Sequence, residues 1–349
     1  MKVFKYFLFL ILALGAFIVL YFGFMTVTDY KPEAIIELEI EQNSDLEINV
    51  EEFTATIFNI GYAGLDKDQD FFMDGGTSSR ASSEEKVLSN MDSIISYLKE
   101  TDNDFIMLQE VDYESTRTFN VNEREILGDA FENYSETYAV NYDVPWVPVP
   151  ITKPIGNVYG GLVTYSEFKI DSSTRYQFPG EEKWPRKLAL LDRCLIETRH
   201  RVSDGKELVI VNLHMSAYDK GGLIREQQMN FLVEYLKNEY DKGNYVLVGG
   251  DWNHELPGTN ADLMNPNKER PGWVKTIDAE FLNYEWAVDL ITPTTRNDDQ
   301  PYVEGENYIA IIDGFLVSDN IEILEVKAGD LGFENSDHNP VTIKFSLKS

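Results

Sequence analysis

Six segments of this chain end an apolar run with an acid, an amide or an imidazole. Asn59 closes the run 53–58 and Glu110 follows 105–108 and Gln109. His214 ends 208–213, and Asp251 and Asn253 follow 246–250. Asp313 interrupts Ile309-Ala310-Ile311-Ile312 and Gly314-Phe315, and Asp337-His338 stands just before Asn339-Pro340 and the last apolar stretch. Hard oxygen donors with two imidazoles suit a divalent cation and hydrolytic chemistry. Singly, each has a plainer reading. An acid or Asn at a strand end is ordinarily a turn former or a cap, and a histidine after an apolar strand is ordinarily a structural hydrogen-bonder. Asp313 resists that reading, because an acid inside an apolar run needs a buried partner or a metal. The case rests on the six positions together, and on strand ends that meet at one edge.

Strands must therefore carry them. The β-branched and aromatic runs at 52–59, 104–110, 162–165, 187–198, 207–214, 245–251, 308–317 and 341–345 predict strands. Val87, Leu88, Met91, Ile94, Ile95 and Leu98 recur at helical spacing, predicting a helix over 84–100, and a second is expected over 223–240. Strands alternating with helices predict an α/β sandwich with helices packed outside the sheets.

The 349 residues include 60 acids against 30 Lys+Arg, a formal net charge of −30. This argues against gripping nucleic acid through a broad basic face, which needs Lys and Arg to displace counterions. It does not exclude phosphate chemistry, since a bound metal supplies positive charge locally. The one cysteine, Cys194, permits no intramolecular disulfide and reads as a small buried hydrophobe. Residues 6–27 carry no charge, a length that spans the ~30 Å hydrocarbon core as a helix. Lys2 and Lys5 precede the run and Asp29 follows it, which predicts a cytoplasmic N-terminus and an extracellular remainder. A cleaved signal peptide is the rival; the run is long for one, and Phe22-Gly23-Phe24-Met25 offers no Ala-x-Ala site. An exported chain without disulfides leans toward a bacterial surface. The expected organisation is an anchor at 1–28, a juxtamembrane linker at 29–50 and one catalytic domain at 51–349.

In order, Asn59 in "FNIGY", Glu110 in "LQEVD", His214 in "VNLHMS", Asp251 and Asn253 in "VGGDWNHE", Asp313 in "IIDGFLV" and Asp337-His338 in "SDHNPV" resemble the endonuclease/exonuclease/phosphatase superfamily. The resemblance covers about 52–346. It implies a four-layer α/β/β/α sandwich of two mixed sheets, and Mg²⁺-dependent cleavage of a phosphate ester, with Mn²⁺ or Ca²⁺ as alternatives and no organic cofactor. It implies that Glu110 is the principal metal ligand, beside Asn59 and Asp337. Asp251 would orient or deprotonate the attacking water, Asn253 would contact phosphoryl oxygens, and His338 would pair with Asp313 as base or cation. His214 would bind the phosphate or assist the leaving group. Tyr159 in "NVYGGL" stands as a substrate contact, although the glycines after it supply no acidic partner for His214.

The substrate stays open between classes. The basic residues Arg175, Lys183, Arg186, Lys187 and Arg193 are scattered and read equally as solvated surface. The apolar, Pro-rich stretch 142–151 is expected to be a loop that dips into a membrane, walls a pocket or packs on its own domain. The favoured expectation is an extracellular phosphodiesterase or phosphatase acting on a small or lipid-borne ester. The alternatives are a surface nuclease and a non-catalytic binding module on the same fold.

Overall fold

The computed structural model describes residues 2–217, 219, 221–277 and 279–348. Two sheets face one another. The first runs in the order β1 (Ile35–Glu37), β6 (Ser172–Gln177), β7 (Cys194–Arg201), β8 (Glu207–His214), β9 (Tyr245–Asp251), β13 (Asp313–Ser318), β10 (Tyr284–Ala287). The second runs β14 (Ile321–Ala328), β15 (Val341–Leu347), β2 (Glu52–Asn59), β3 (Phe105–Asp112), β5 (Gly156–Ser166), β4 (Ser135–Val147). β8 and β9 pair in parallel, as do β2 and β3, within otherwise antiparallel sheets. A short ribbon joins β11 (Thr295–Arg296) to β12 (Ile309–Ala310).

Alternation along each strand builds the layers. Phe53, Ile57, Phe105 and Met107 meet Leu208, Ile210, Leu247 and Phe315 between the sheets. The neighbours on the opposite face, Phe58, Ile106 and Leu108, pack on Val87, Met91, Ile94 and Leu98 of α2 (Glu84–Glu100) and Leu127 of α3 (Glu123–Ala130). Val209, Val211, Val246 and Val248 pack on Leu232 and Leu236 of α4 (Leu223–Asp241). Strands buried on both faces read as continuous apolar runs, which is why their sequence signal is strong. Each such side chain contributes about 1.5–3 kcal/mol on burial. Ser83 caps α2 by accepting from the Lys86 N–H at 3.2 Å, with Glu84 and Glu85 in the first turn. The result is the α/β sandwich that the strand and helix pattern predicts, with the four α/β/β/α layers that the family resemblance implies, preceded by the apolar helix α1 (Lys2–Val27).

Some expectations shift. Residues 29–50 do not hang free. β1 adds an edge strand beside β6, and the Glu41 N–H and C=O exchange bonds with Glu136 on the other sheet. The stretch 142–151 is strand as far as Val147, because β4 is an edge strand and an edge tolerates Pro145; the loop begins at 148. The expected strand over 187–198 starts only at Cys194. Arg186–Ala189 forms a 3₁₀ turn that buries Leu188 beside Met25 of α1. The run 308–317 splits in two, with Ile309 and Ala310 turned away to pair with β11. Cys194 is buried and free, as expected.

One polar residue ties the sheets together below the site. Asn212 of β8 donates to the carbonyls of Leu108 (3.2 Å) and Val163 (2.9 Å) on the facing sheet, and accepts from Gln109 Nε2 at 2.7 Å. Replacing it by leucine strands those groups in a dry core. Asn212→Leu is expected to cost about 2–4 kcal/mol in urea unfolding of the detergent-solubilised chain; a loss within error would remove this bridge from the stabilising interactions.

Candidate active site

Register places the central acids. His214, Asp251 and Asp313 are direct partners across β8, β9 and β13, so their side chains share one face at one sheet edge. Gly250 precedes Asp251 at φ 144°, and a Cβ there would strike the Leu213 carbonyl of β8. Only glycine lets β9 run this close to β8. From the facing sheet, Asn59 ends β2, and Glu110 sits at φ 56° where the β3–β5 register slips between Leu108 and Val111. That bulge re-aims Glu110, since strand alternation alone would not turn it to the edge. Asp337 and His338 arrive on the loop before β15, where His338 bridges Thr295 of β11.

These residues meet at a cavity of about 440 Å³. Glu110, His214, Asp251, Asn253, Asp337 and His338 line it, while Asn59 and Asp313 stand behind and hold them. Asp313 Oδ2 accepts from His338 Nδ1 at 2.8 Å. His338 Nε2 then faces inward, 3.9 Å from both Asp251 Oδ2 and Asp337 Oδ2. His214 Nε2 lies 3.3 Å from Asp251 Oδ2 and 3.9 Å from Glu110 Oε1. Asn59 Nδ2 donates to Asp251 Oδ2 (3.0 Å) and Glu110 Oε1 (3.4 Å), while its oxygen accepts from the Gly61 N–H. The side chain thus presents nitrogen, not oxygen, to the acids. Asn253 Nδ2 donates to Met215 O (2.8 Å) and Asp251 Oδ2 (3.1 Å), so both amide hydrogens are engaged, one of them on Asp251.

Burial and neighbours split the titrations. Burial raises Asp251 to about 7, against the pull of His338 and with Asp313 adding to it. Burial also raises Glu110; Arg117 opposes this and Asp337 reinforces it. Burial alone would depress His338, but Asp313, Asp337 and Asp251 lift it well above the usual imidazole range. His214, desolvated and beside the cations Arg193, His338 and Arg117, is held well below that range. One imidazole is therefore cationic at neutral pH and the other neutral. The remaining two are structural. His200 bonds the Lys169 carbonyl and His254 the Trp252 carbonyl, and burial lowers both to about 4.

Tyr159 is not among the cavity-lining residues. Val158 points into the cluster with Met25 and Tyr142, so alternation sends Tyr159 to the other face, edge-on to Tyr113. Tyr62, from the "NIGY" segment, lines the cavity instead, with the Arg117 guanidinium 3.8 Å over its ring. Arg117 is held by two bonds to Asp112, both 2.8 Å. Of the scattered basic residues, Lys187 and Arg193 line the cavity and Arg175 is buried, bonded to the Val140 carbonyl. Arg117 was missed because its only signal is the pairing with Asp112, and no spacing reveals that.

The endonuclease/exonuclease/phosphatase family model matches residues 74–338. The chain belongs to that family. It is accordingly a hydrolase of the endonuclease/exonuclease/phosphatase type. Solved structures share the fold. An endonuclease/exonuclease/phosphatase from Beutenbergia cavernae superposes at TM-score 0.56 with 13% identity, over 86% of this chain and 72% of its own. ANGEL2, described as a 2′,3′-cyclic phosphatase, does so at 0.56 with 15% identity, over 91% and 100%. The human Nocturnin catalytic domain, solved with bound sulfate, does so at 0.53 with 18% identity, over 89% and 98%. In sequence, a UPF0294 protein of Vibrio cholerae is 39% identical over 72 residues, 21% of this chain; the match spans about a quarter (23%) of that relative.

Asp251 carries a signed consequence for stability. Unfolded, it ionises near 3.8; folded, at about 7. Between these values the folded chain keeps a proton on Asp251 that the unfolded chain releases, so this group's contribution to stability falls as pH rises through the window, while the lowered His200, His214 and His254 contribute the opposite slope. His338, raised, keeps its charge across the window and adds no opposing slope there. With chelator present, the change in melting temperature from about pH 4 to about pH 7 is expected to be more negative in wild type than in Asp251→Asn, by roughly 5 °C over the window, because the histidine contributions are common to both. Parallel curves would place the Asp251 carboxyl outside the dry cluster.

Proposed function

We propose that this chain is a membrane-anchored, divalent-metal-dependent phosphoester hydrolase, working outside the cell on a small or lipid-borne phosphate ester. The single observation that carries the reading is the split cluster: a neutral His214 and a cationic His338 flanking Asp251, with Glu110 and Asp337 opposite. The donor set fits a hard cation. Glu110 is pushed toward protonation by burial and by Asp337, a cost that a divalent ion beside both would relieve. Asp251, Asp313 and His338 also bring ligand atoms within 4.8 Å of one another. There His338 already donates to Asp313, so that trio reads as a charged Asp–His pair facing Asp251. Glu110 and Asp337 are thus the proposed ligands, with Mg²⁺ the expected ion, and Asn59 orients Glu110 and Asp251. The ion would supply Lewis-acid neutralisation of charge building on the phosphoryl oxygens.

The chain's own residues do the rest. Asp251, at about 7, is matched to accept the proton of an attacking water near neutral pH. Asn253 and Asn59 fix both of its oxygens. His338, its ring set by Asp313, offers a cationic Nε2–H to a non-bridging oxygen. Neutral His214, its Nε2 3.3 Å from Asp251 Oδ2 on the cavity wall, is the proposed hydrogen-bond donor to the leaving oxygen. Arg117 and Arg193 line the cavity wall and favour a phosphate there. Lys31 and Lys187 line the same cavity, so positive charge gathers locally there on a chain of net charge −30. That distribution favours a compact ester over a long polyanion, and leaves the surface nuclease as the second reading.

Hydrolysis of bis(p-nitrophenyl) phosphate or sphingomyelin by the full chain is expected to exceed plasmid nicking and to cease with chelator. Faster nicking of plasmid would overturn the substrate preference. Glu110→Gln is expected to lower kcat/KM about a hundredfold or more, and to weaken Mg²⁺ binding by calorimetry, with the fold intact. Wild-type turnover in that variant would remove Glu110 from the metal site.

A further inference from the structure

α1 is 26 residues long, with a mean hydropathy of 2.6 over its most apolar window, and is long and apolar enough to cross a membrane. At 1.5 Å per residue it measures ~39 Å, against a hydrocarbon core of ~30 Å. Counted from Tyr6, the first residue past Lys5, ~20 residues cross that core and the helix emerges near Met25. Tyr21 and Phe22 therefore lie just beneath the boundary, and Thr26 at it.

The same residues hold the catalytic domain. Tyr21 Oη donates to the Trp146 carbonyl at 3.0 Å, and Thr26 Oγ1 accepts from Trp184 Nε1 at 3.1 Å. The rings of Phe22 and Trp184 are 5.5 Å apart. Met25 is buried against Tyr142, Val144, Val147 and Leu188. The domain is thus docked along the last two turns of α1, at the depth where those turns leave the lipid. Its surface there is apolar and open: Trp146 is 43% exposed, Val149 42%, Trp184 56% and Ile151 91%. Tryptophan favours the head-group boundary, where its ring is half in hydrocarbon and its N–H is wet. Exposed Lys153 and Lys183 flank the patch and suit lipid phosphates.

We propose that Trp146, Val149, Ile151 and Trp184 form a collar around α1 that beds into the same leaflet, so that the catalytic domain lies on the bilayer instead of swinging above it. Its occupant is lipid, because the patch is continuous with the membrane-crossing helix. Asp29, Tyr30, Lys31 and Pro32, which follow α1 directly, line the active-site cavity. The collar therefore holds the cavity wall at the head groups. The inference rests on the anchor reading under Proposed function, and the test separates the two.

Cys194 is fully buried and its thiol is pushed up to about 11, so a cysteine placed on the surface can be labelled alone. Spin labels at Ile151→Cys, Leu12→Cys and Leu263→Cys are compared in the full chain, reconstituted in phosphatidylcholine/phosphatidylglycerol vesicles. Leu263 is 79% exposed, in the short helix Ala261–Met264, outside the patch and α1. The label at 151 is expected to collide with oxygen over an aqueous nickel chelate several-fold more than the label at 263 does. Labels at 151 and 263 equally open to nickel, with 12 in lipid, would overturn the collar and leave the anchor standing. A label at 12 open to nickel would overturn both. Dipolar coupling between 151 labels at high dilution in lipid would show a second copy covering the patch, and would likewise overturn the collar.

Discussion

Buried like charge is the constraint on which the rest of the molecule turns. Asp251 and Asp313 are direct partners across adjacent strands, with Glu110 and Asp337 facing them from the other sheet. Asp313 disfavours ionisation of Asp251 and Asp337 that of Glu110, and the dry edge magnifies the effect. The fold answers with a small number of fixed positive charges. His338 is held cationic between Asp313, Asp337 and Asp251, and Arg117 is clamped by Asp112. The balance is partial: Asp251 still sits at about 7. The divalent cation of the proposed function would supply the positive charge that this site lacks.

Holding four acids together demands a rigid frame. The frame is register. Gly250 permits β9 to press on β8, the β3 bulge turns Glu110, and Asn212 fixes the spacing of the sheets through Leu108, Val163 and Gln109. None of these devices touches the cavity centre. Each sets the angle or distance of a residue that does, and hydrolytic geometry tolerates little error in either.

The strand ends were readable because strands buried on both faces leave continuous apolar runs, and a polar residue closing one is conspicuous. Asn59, Glu110, His214, Asp251, Asp313 and Asp337-His338 all emerged this way, and they do converge. What stayed illegible belongs to edges. β1, β4 and β10 are covered on one side only and alternate weakly, so 29–50 read as a linker and 142–147 as a loop. Arg117 and Tyr62 are placed by a contact between two loops, which no local period encodes. Tyr159 failed on parity: Val158 belongs inward, so its neighbour cannot.

The two site histidines show why residue type alone could not assign the proton. Both end up at Asp251, at 3.3 Å and 3.9 Å, and both are desolvated. They diverge through what stands behind them. His338 has a carboxylate on Nδ1, which fixes the tautomer and favours the cation. Among the described residues, His214 has no hydrogen-bond partner on its buried Nδ1, and it feels Arg193, His338 and Arg117, so it stays neutral. The proposed mechanism needs a base between a fixed cation and a neutral donor, and burial raises Asp251 to about 7, in the range that task requires. A cationic His338 cannot also accept a proton, so in the proposed mechanism the Asp313 carboxylate, by charging His338, leaves the role of base to Asp251.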